Sequence, residues 1–137
     1  LIQSTDEIVS TCRNHVENRL SPPEKAQTKA LLTALSKIDD YFKILSQRMK
    51  DRNFASIDDI TALRLGAMNH LEETLSEQIA GIKSSKYGFR NTSLMFTLLL
   101  ETKDLVQISY RFAELYHRLH HNGHLADYTF LNEPPEA

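Results

Sequence analysis

The sequence predicts an all-α protein, an antiparallel up-and-down bundle of about four helices. Glycine and proline are scarce, with four of each in 137 residues, and both residue types disfavour helix interiors. Four long segments repeat their apolar residues every three or four positions, which is the spacing of one helix face. Short polar separators lie between these segments, and short connections place consecutive helices antiparallel.

The four helices are predicted at residues 4–19, 22–51, 57–84 and 92–122. Three of the predicted starts carry a serine followed three residues later by an acidic residue, which is the pattern of a capping box or a close variant. These pairs are Ser4 with Glu7, Ser21 with Glu24, and Ser56 with Asp59. The prolines of SPPE suit the first positions of the second helix, where a missing N–H is no loss. We predict a helical bundle over residues 1–124 and a C-terminal tail over 125–137.

Each predicted helix has an apolar stripe that is expected to face a shared core. The stripe residues are, helix by helix, Ile8, Cys12, Val16 and Leu20; Leu31, Leu35, Ile38, Phe42, Leu45 and Met49; Ile60, Leu63, Ala67, Leu71, Leu75 and Ile82; and Leu98, Leu105, Ile108, Phe112, Leu115 and Leu119. The stripe of the first helix is the thinnest. We therefore expect His15 at the boundary of the core and Cys12 within the core.

The composition narrows the possible partners and location. The net charge of -2 and the pI near 6.3 provide no basic patch for a phosphate backbone, so no nucleic-acid partner is expected. The single cysteine, Cys12, cannot form an internal disulfide, which fits a reducing compartment and predicts a cytoplasmic location. Because the sequence begins at Leu1 rather than Met, we expect a domain of a longer parent protein.

Residues 94–100, LMFTLLL, are apolar around most of the helix, and two apolar residues of the third helix lie off its main stripe. One interpretation is a helix end that is buried on two sides. The other is a contact face for a second copy of the chain or for the remainder of the parent protein. The residues of the expected contact face are Leu65, Met68, Leu94, Met95, Leu98 and Leu99.

A group of histidines follows the fourth stripe in YHRLHHNGH, at residues 117–124. His117 and His121 are four positions apart on one helix face, a spacing at which two imidazoles can hold Zn²⁺ or Ni²⁺. His120 and His124 have the same spacing. The alternative is that these side chains complement the dipole at the C-terminal end of the helix.

The acidic residues of NHLEETLSEQ are a weaker candidate for a metal site. Glu72, Glu73 and Glu77 lie near His70, but a di-iron bundle needs a Glu-x-x-His pair and here the histidine comes first. A solvated acidic face is therefore expected. The sequence also lacks a nucleophile elbow, a phosphate-binding glycine loop and a Cys and His ligand set. We expect no enzymatic activity and no cofactor.

Two adjacent aspartates interrupt LSKIDDYFKIL, residues 35–45. A turn of about 100° per residue places Asp40 and Ser36 nearly opposite the core and Asp39 at its boundary. Lys37 and Lys43 lie within pairing distance along the helix. We therefore expect surface carboxylates rather than a buried acid/base pair.

The segment LSPPEKAQTKALLTALSKIDDYFKILSQRM resembles the long helix of PhoU-type domains. Residues 35–42 fall on the signature L-E-R-I-G-D-H-A of that family. Residues 104–110, within LLLETKDLVQISYRFAEL, fall on a D-L-E-R-I-S-D pattern, as in the tandem three-helix repeats of the family. With the third helix, the resemblance covers most of residues 4–120.

The resemblance implies a cytoplasmic regulatory domain connected with phosphate transport, such as the domain that follows the membrane part of bacterial sodium/phosphate cotransporters. The implied partners are the remainder of that parent protein and further copies of the chain. The acidic metal-binding pairs of the family would fall at 36 and 40 and at 106 and 110. This chain has Ser36, Asp40, Val106 and Tyr110 there, so the metal clusters of the family are not expected. The alternatives are a metal- or ligand-sensing bundle that uses the C-terminal histidines, and a dimerisation domain of a signalling protein.

Overall fold

The computed structural model describes residues 1–54 and 56–122, of which 120–122 as backbone alone. It contains four helices, α1 (Ile2–Glu17), α2 (Lys25–Asp51), α3 (Asp58–Lys83) and α4 (Phe89–Asn122). The prediction of an all-α bundle of four helices is confirmed, and every helix end lies within three residues of the predicted one. The predicted boundary between bundle and tail, at residues 124 and 125, lies outside the described residues. Within those residues, no helix combines the length and apolarity that a bilayer crossing requires.

The four helices do not contribute equally to the core. α2 packs against α3, α3 against α4, and α1 against α4, while α2 and α4 contact each other less extensively. The buried cluster draws on α2, α3, α4 and the loop between α2 and α3, but not on α1. Its members are Ala34, Ile38, Tyr41, Leu45, Phe54, Ile60, Met68, Leu71, Met95, Leu99, Val106, Tyr110 and Ala113. The architecture is therefore a three-helix core with α1 lying along α4.

α1 runs antiparallel to α4 and is much shorter. His15 near its C-terminal end, and Leu20 just after that end, line one cavity with Arg90 and Leu94 at the start of α4. The 16 residues of α1 and the 34 residues of α4 correspond to about 24 Å and 51 Å at a rise of 1.5 Å per residue. The last turns of α4 therefore extend beyond Leu1.

Hydrogen bonds between buried polar side chains fix the contact between α2 and α4. The Tyr41 hydroxyl donates to the carbonyl of Val106 at 3.3 Å and lies 3.0 Å from Ser109 Oγ. Ser109 Oγ also donates to the same carbonyl at 2.9 Å. Burial raises the pKa of the Tyr41 phenol, although the hydrogen bond with Ser109 acts in the opposite direction.

Comparable contacts join α3 to its two neighbours. Gln27 Nε2 of α2 donates to Gln78 Oε1 at 2.9 Å, and both side chains are buried. The hydroxyls of Thr61 and Tyr110 are 2.9 Å apart, and the Arg64 guanidinium lies 4.6 Å from the centre of the Tyr110 ring. Because buried polar groups are costly unless they are paired, these contacts allow only one alignment of the three helices.

The predicted stripes are correct for α3 except at Ile82, which is exposed, and need correction on the other helices. The side of α1 that faces α4 carries Ser4, Ile8, Thr11 and His15, whereas Cys12 and Val16 are exposed. On α2 the buried positions are Gln27, Ala34, Ile38, Tyr41 and Leu45, and on α4 they include Thr92, Met95, Leu99, Val106, Ser109, Tyr110 and Ala113. The physical reason is that polar side chains occupy part of the core, which an apolar pattern alone does not reveal.

The predicted capping boxes are wrong. The N-cap of α2 is Glu24 rather than Ser21, and it forms a capping box with Gln27, so the two prolines precede the helix instead of starting it. Ser4 is buried inside α1. Ser56 accepts a hydrogen bond from the backbone N–H of Asp58, but the start of α3 has no reciprocal box.

The C-terminal ends of α1, α2 and α3 share one turn geometry. In each, a residue other than glycine adopts a left-handed conformation, namely Arg19, Arg52 and Ser85, with φ of 50°, 52° and 54°. The next residue donates back across the last turn, as Lys86 N–H does to the Gly81 carbonyl at 2.9 Å. This is the Schellman arrangement, in which glycine is the usual left-handed residue.

Replacing Ser85 with glycine is expected to stabilise the protein. The left-handed conformation is strained for a residue with a Cβ and unstrained for glycine, so we expect the free energy of unfolding to rise by about 0.5–1 kcal/mol. Urea denaturation measures it. The matched control is Ser84→Gly, because Ser84 has a φ of -88° and should lose stability. Equal changes in the two variants would contradict the explanation.

Replacing Tyr41 with phenylalanine is expected to lower the free energy of unfolding by about 1 kcal/mol at pH 7, because the buried hydroxyl loses its partners. Since the pKa of Tyr41 is raised in the folded state, the wild type keeps its full stability below the ordinary pKa near 10 and loses it as the pH rises above that value. The difference between the two proteins should therefore shrink above pH ~10. Denaturation at neutral and alkaline pH measures this. A constant difference would contradict the assigned burial effect.

Candidate interaction surface

An open apolar slot lies between α1 and α2, with α4 as its floor; we call it the α1–α2 slot. α1 and α2 are consecutive in the chain, yet they are not among the helix pairs that pack closely. The lower part of the slot is a cavity of about 490 Å³. Its lining residues are Leu1, Phe42, Leu45, Ser46, Met49, Ser109, Phe112 and Tyr116. This volume lies in the range of small-molecule ligand pockets.

The wall formed by α2 carries apolar side chains seven residues apart. Leu35 is 46% exposed and Met49 is 44% exposed, while Phe42 between them is half-buried. On the floor, Phe112 of α4 is 45% exposed. These residues belong to the stripes that the sequence predicts for the core. They face the position that a closely packed neighbour would occupy in a closed bundle.

The wall formed by α1 lies next to its α4-facing side. Leu1 lines the slot. At about 100° per residue, Thr5, Cys12 and Val16 lie on the same side of the helix as Leu1. All three are exposed, Val16 by 74%. His15, by contrast, is half-buried, and its ring lies 3.1 Å from the Ser21 carbonyl. The expectation for His15 is confirmed, and the expectation that Cys12 lies in the core is wrong.

A second cavity of about 570 Å³ continues the slot at its lower end and shares Met49 and Tyr116 with the first. The Phe54 ring stacks on Tyr116, with ring centres 5.2 Å apart, and Arg52 lines the mouth. The His117 imidazole contacts the Phe54 carbonyl through Nδ1. A carbonyl can only accept, so Nδ1 donates.

The ends of α2 and α3 meet beside this mouth. Arg48 of α2 donates to Asp59 Oδ2 of α3 at 2.7 Å. This hydrogen bond lowers the pKa of the Asp59 carboxyl. The pair is partly exposed to solvent, so its contribution to stability is small. The slot thus offers an apolar surface with a guanidinium at its mouth.

The predicted contact face of the α3 and α4 helices is largely occupied by the protein's own packing. Met68, Met95, Leu98 and Leu99 are buried and Leu94 is half-buried, whereas Leu65 is 50% exposed. α4 packs on α1 along one side and on α2 and α3 along another. Of the two interpretations of residues 94–100, the structure therefore favours a helix end buried on two sides.

The histidine group cannot be assembled into a site from the described residues. His117 is half-buried against the loop between α2 and α3, as described above. The side chains of His120 and His121, and all of His124, lie outside the described residues. The pairing of His117 with His121 therefore stays a prediction. Among the residues whose side chains are described, no group of three or more His, Cys, Asp or Glu could hold a metal ion.

The acidic group on α3 forms a solvated face. Glu72, Glu73 and Glu77 are all exposed. Lys103 of α4 lies 2.8 Å from Glu72, and His70 Nδ1 lies 3.8 Å from Glu73. The ion pair between Lys103 and Glu72 connects α3 to α4 at the surface. This agrees with the expectation of a solvated face.

The two adjacent aspartates of α2, Asp39 and Asp40, are exposed to solvent, as expected. Asp39 forms an ion pair with Lys43 at 2.6 Å, and their hydrogen bond raises the pKa of Lys43. Ser36 is exposed as well.

Positions 106 and 110 of the resemblance lie in the core. Val106 is fully buried, and Tyr110 bonds to Thr61. Neither carries a carboxylate or lies at the surface. The structure therefore offers no place for an acidic metal pair at these positions.

Sequence reasoning missed Tyr116, Ser46 and Ser109 as residues of the slot. It did single out Leu35, Phe42, Met49 and Phe112, but as core. The seven-residue spacing of the three α2 residues was the available signal. Spacing identifies an apolar face but does not say whether a neighbour covers it.

The chain was compared with protein-family models, with curated proteins and with solved structures, and none of the three comparisons gave a match.

Proposed function

We propose that this protein is a non-enzymatic regulatory and interaction domain whose α1–α2 slot receives an apolar helix of its partner. The observation that supports this proposal is the slot itself, which is lined by apolar residues of α2 and α4 and by Leu1, and is large enough for bulky side chains. Helix-in-groove recognition uses a partner helix with apolar residues at three- and four-residue spacing. Phe112 and Met49 would provide the central contacts, and Tyr116 the lower edge.

The biological setting we propose follows from the resemblance to PhoU-type domains. In this setting the chain is the cytoplasmic domain of a sodium-dependent phosphate transporter, and the partner helix belongs to the parent protein. Occupation of the slot would favour one packing of the helices over another and so bias the transport state.

Replacing Phe112 with glutamate tests the function of the slot. Burying a charge against an apolar partner should weaken binding by on the order of 100-fold, about 3 kcal/mol. Since Phe112 is half-exposed in the isolated chain, the domain should still fold, as circular dichroism can check. We expect the uptake of radioactive phosphate to change in cells whose parent gene carries Phe112→Glu.

The matched control is Leu100→Glu, because Leu100 is an exposed leucine of α4 that does not line the slot. Uptake should stay at the wild-type level in this variant. If the folded Phe112→Glu variant also shows wild-type uptake, the proposed link to phosphate transport is rejected.

A metal-sensing function is the second candidate. The observation that favours it is the hydrogen bond from His117 Nδ1 to the Phe54 carbonyl, since metal-binding histidines commonly donate one ring N–H to such a group.

Zinc analysis separates the two candidates. We expect untagged wild-type protein and the His117→Ala/His121→Ala variant to retain equally little zinc after dialysis against a zinc-containing buffer. A stoichiometric ion that is present in the wild type and lost in the variant would instead establish metal binding and favour the sensing function. Thermal denaturation of both proteins checks that the variant is folded.

A further inference from the structure

We infer that α1 has a second position, in which it closes the α1–α2 slot by packing against α2 as well as α4. The inference concerns the slot described above, and its regulatory meaning rests on the proposed function. In the closed position, α1 would occupy the space that a partner helix needs.

The two walls of the slot carry exposed residues at matching spacing, and those of α2 are apolar while those of α1 include Thr5. On α1, Val16 lies four residues after Cys12, and Thr5 lies seven residues before it. On α2, Leu35 and Phe42 are seven residues apart. Faces with this three- and four-residue spacing interdigitate when two helices pack antiparallel. The exposed wall of α1 therefore has the pattern of a helix that packs on two neighbours rather than one.

The two walls are also aligned along the bundle. Leu1 and Leu45 line the same cavity, which sets the relative height of α1 and α2. α1 and α2 are antiparallel, so a step toward the C-terminal end of α1 corresponds to a step toward the N-terminal end of α2. The distances from Leu1 to Cys12 and from Leu45 to Leu35 are nearly equal, roughly 15–17 Å at 1.5 Å per residue. Since the cavity spans Phe42 to Met49 on α2, Cys12 lies at the height of residues 31–38, with Leu35 near the middle of that range.

The connection between the two helices permits the movement. Residues 18–24 separate α1 from α2, and the Leu20 N–H donates to the His15 carbonyl at 3.1 Å, so a movement of α1 would pivot at this end. The Asn91 side chain donates to the Pro22 carbonyl at 2.9 Å, which holds this loop against the start of α4. α1 can thus roll across α4 toward α2 while its C-terminal end stays attached.

Burial of apolar surface favours the closed position. Val16 and Leu35 are both substantially exposed in the open arrangement, and closure would remove them from water. A partner helix in the slot would bury Leu35 in the same way. Because α1 and the partner helix compete for one space, each should weaken the binding of the other.

A disulfide test follows from the alignment. Cys12 is the only cysteine of the chain and is exposed, so Leu35→Cys supplies a single possible partner. A disulfide requires Cα atoms about 4.4–6.8 Å apart, which two helices that are not closely packed do not reach. With copper phenanthroline as the oxidation catalyst, we expect the dilute monomer to lose both thiols and migrate faster on a non-reducing gel.

The matched control is Thr33→Cys, because Thr33 is exposed on α2 at a similar height and periodicity places it on the opposite face. This variant should keep its two thiols. The inference is overturned if Leu35→Cys remains reduced while circular dichroism shows the wild-type helix content, or if both variants cross-link at the same rate. Leu35→Cys combined with Cys12→Ser confirms that the product is the intended bond.

The cross-linking result is independent of phosphate transport. It is measured on the purified chain without any partner, so a failure of the uptake experiment would leave it unaffected. Conversely, an uncross-linked Leu35→Cys variant would remove the closed position and leave the slot as a possible partner site.

Discussion

α4 packs against two sets of neighbours, and the rest of the architecture depends on this constraint. Its core side meets α2 and α3, and a second side meets α1. Residues 94–100 are accordingly apolar around most of the helix, with Met95 and Leu99 in the core. Because α1 has no place in the core, its position depends on this second side of α4. The slot exists where the surface of α4 between α1 and α2 is left without a close neighbour.

The helices of the core are held in place more strongly than α1, which borders the slot. In the core, buried polar groups such as Tyr41 and Ser109 can be satisfied in only one alignment of α2 with α4. The contact between α1 and α4 brings together residues far apart in sequence and adds little to the buried cluster. Such a peripheral helix opens more readily than a core helix, since local stability follows the number of buried apolar contacts. The helix with the weakest packing, α1, thus lies beside the candidate binding surface.

The sequence predicts well where the helices begin and end, and poorly which face of each helix is buried. Scarce glycine and proline with clear periodicity suffice for four helices, but the buried positions include Gln27, which an apolar pattern does not select. Leu35 and Met49 were expected in the core because they belong to the apolar stripe of α2, but both are exposed, and Met49 lines the slot. Spacing within one helix also does not reveal which helices touch, so the contact of α1 with α4 rather than α2 was not predictable. Several residues of the candidate site could therefore be singled out from the sequence, but their exposure in an open slot could not be predicted.

The length of α4 has a mechanical consequence. It extends about 51 Å at a rise of 1.5 Å per residue, and Phe89 and Leu119 lie near its two ends. A continuous helix is stiff, so a displacement of its last turns is transmitted along its whole length. Because Met95, Val106 and Ala113 belong to the core, α4 connects the core rigidly to its own last turns. A partner that binds near Leu119, about one turn beyond Tyr116 and Leu1, would therefore contact the same helix on which α1 lies.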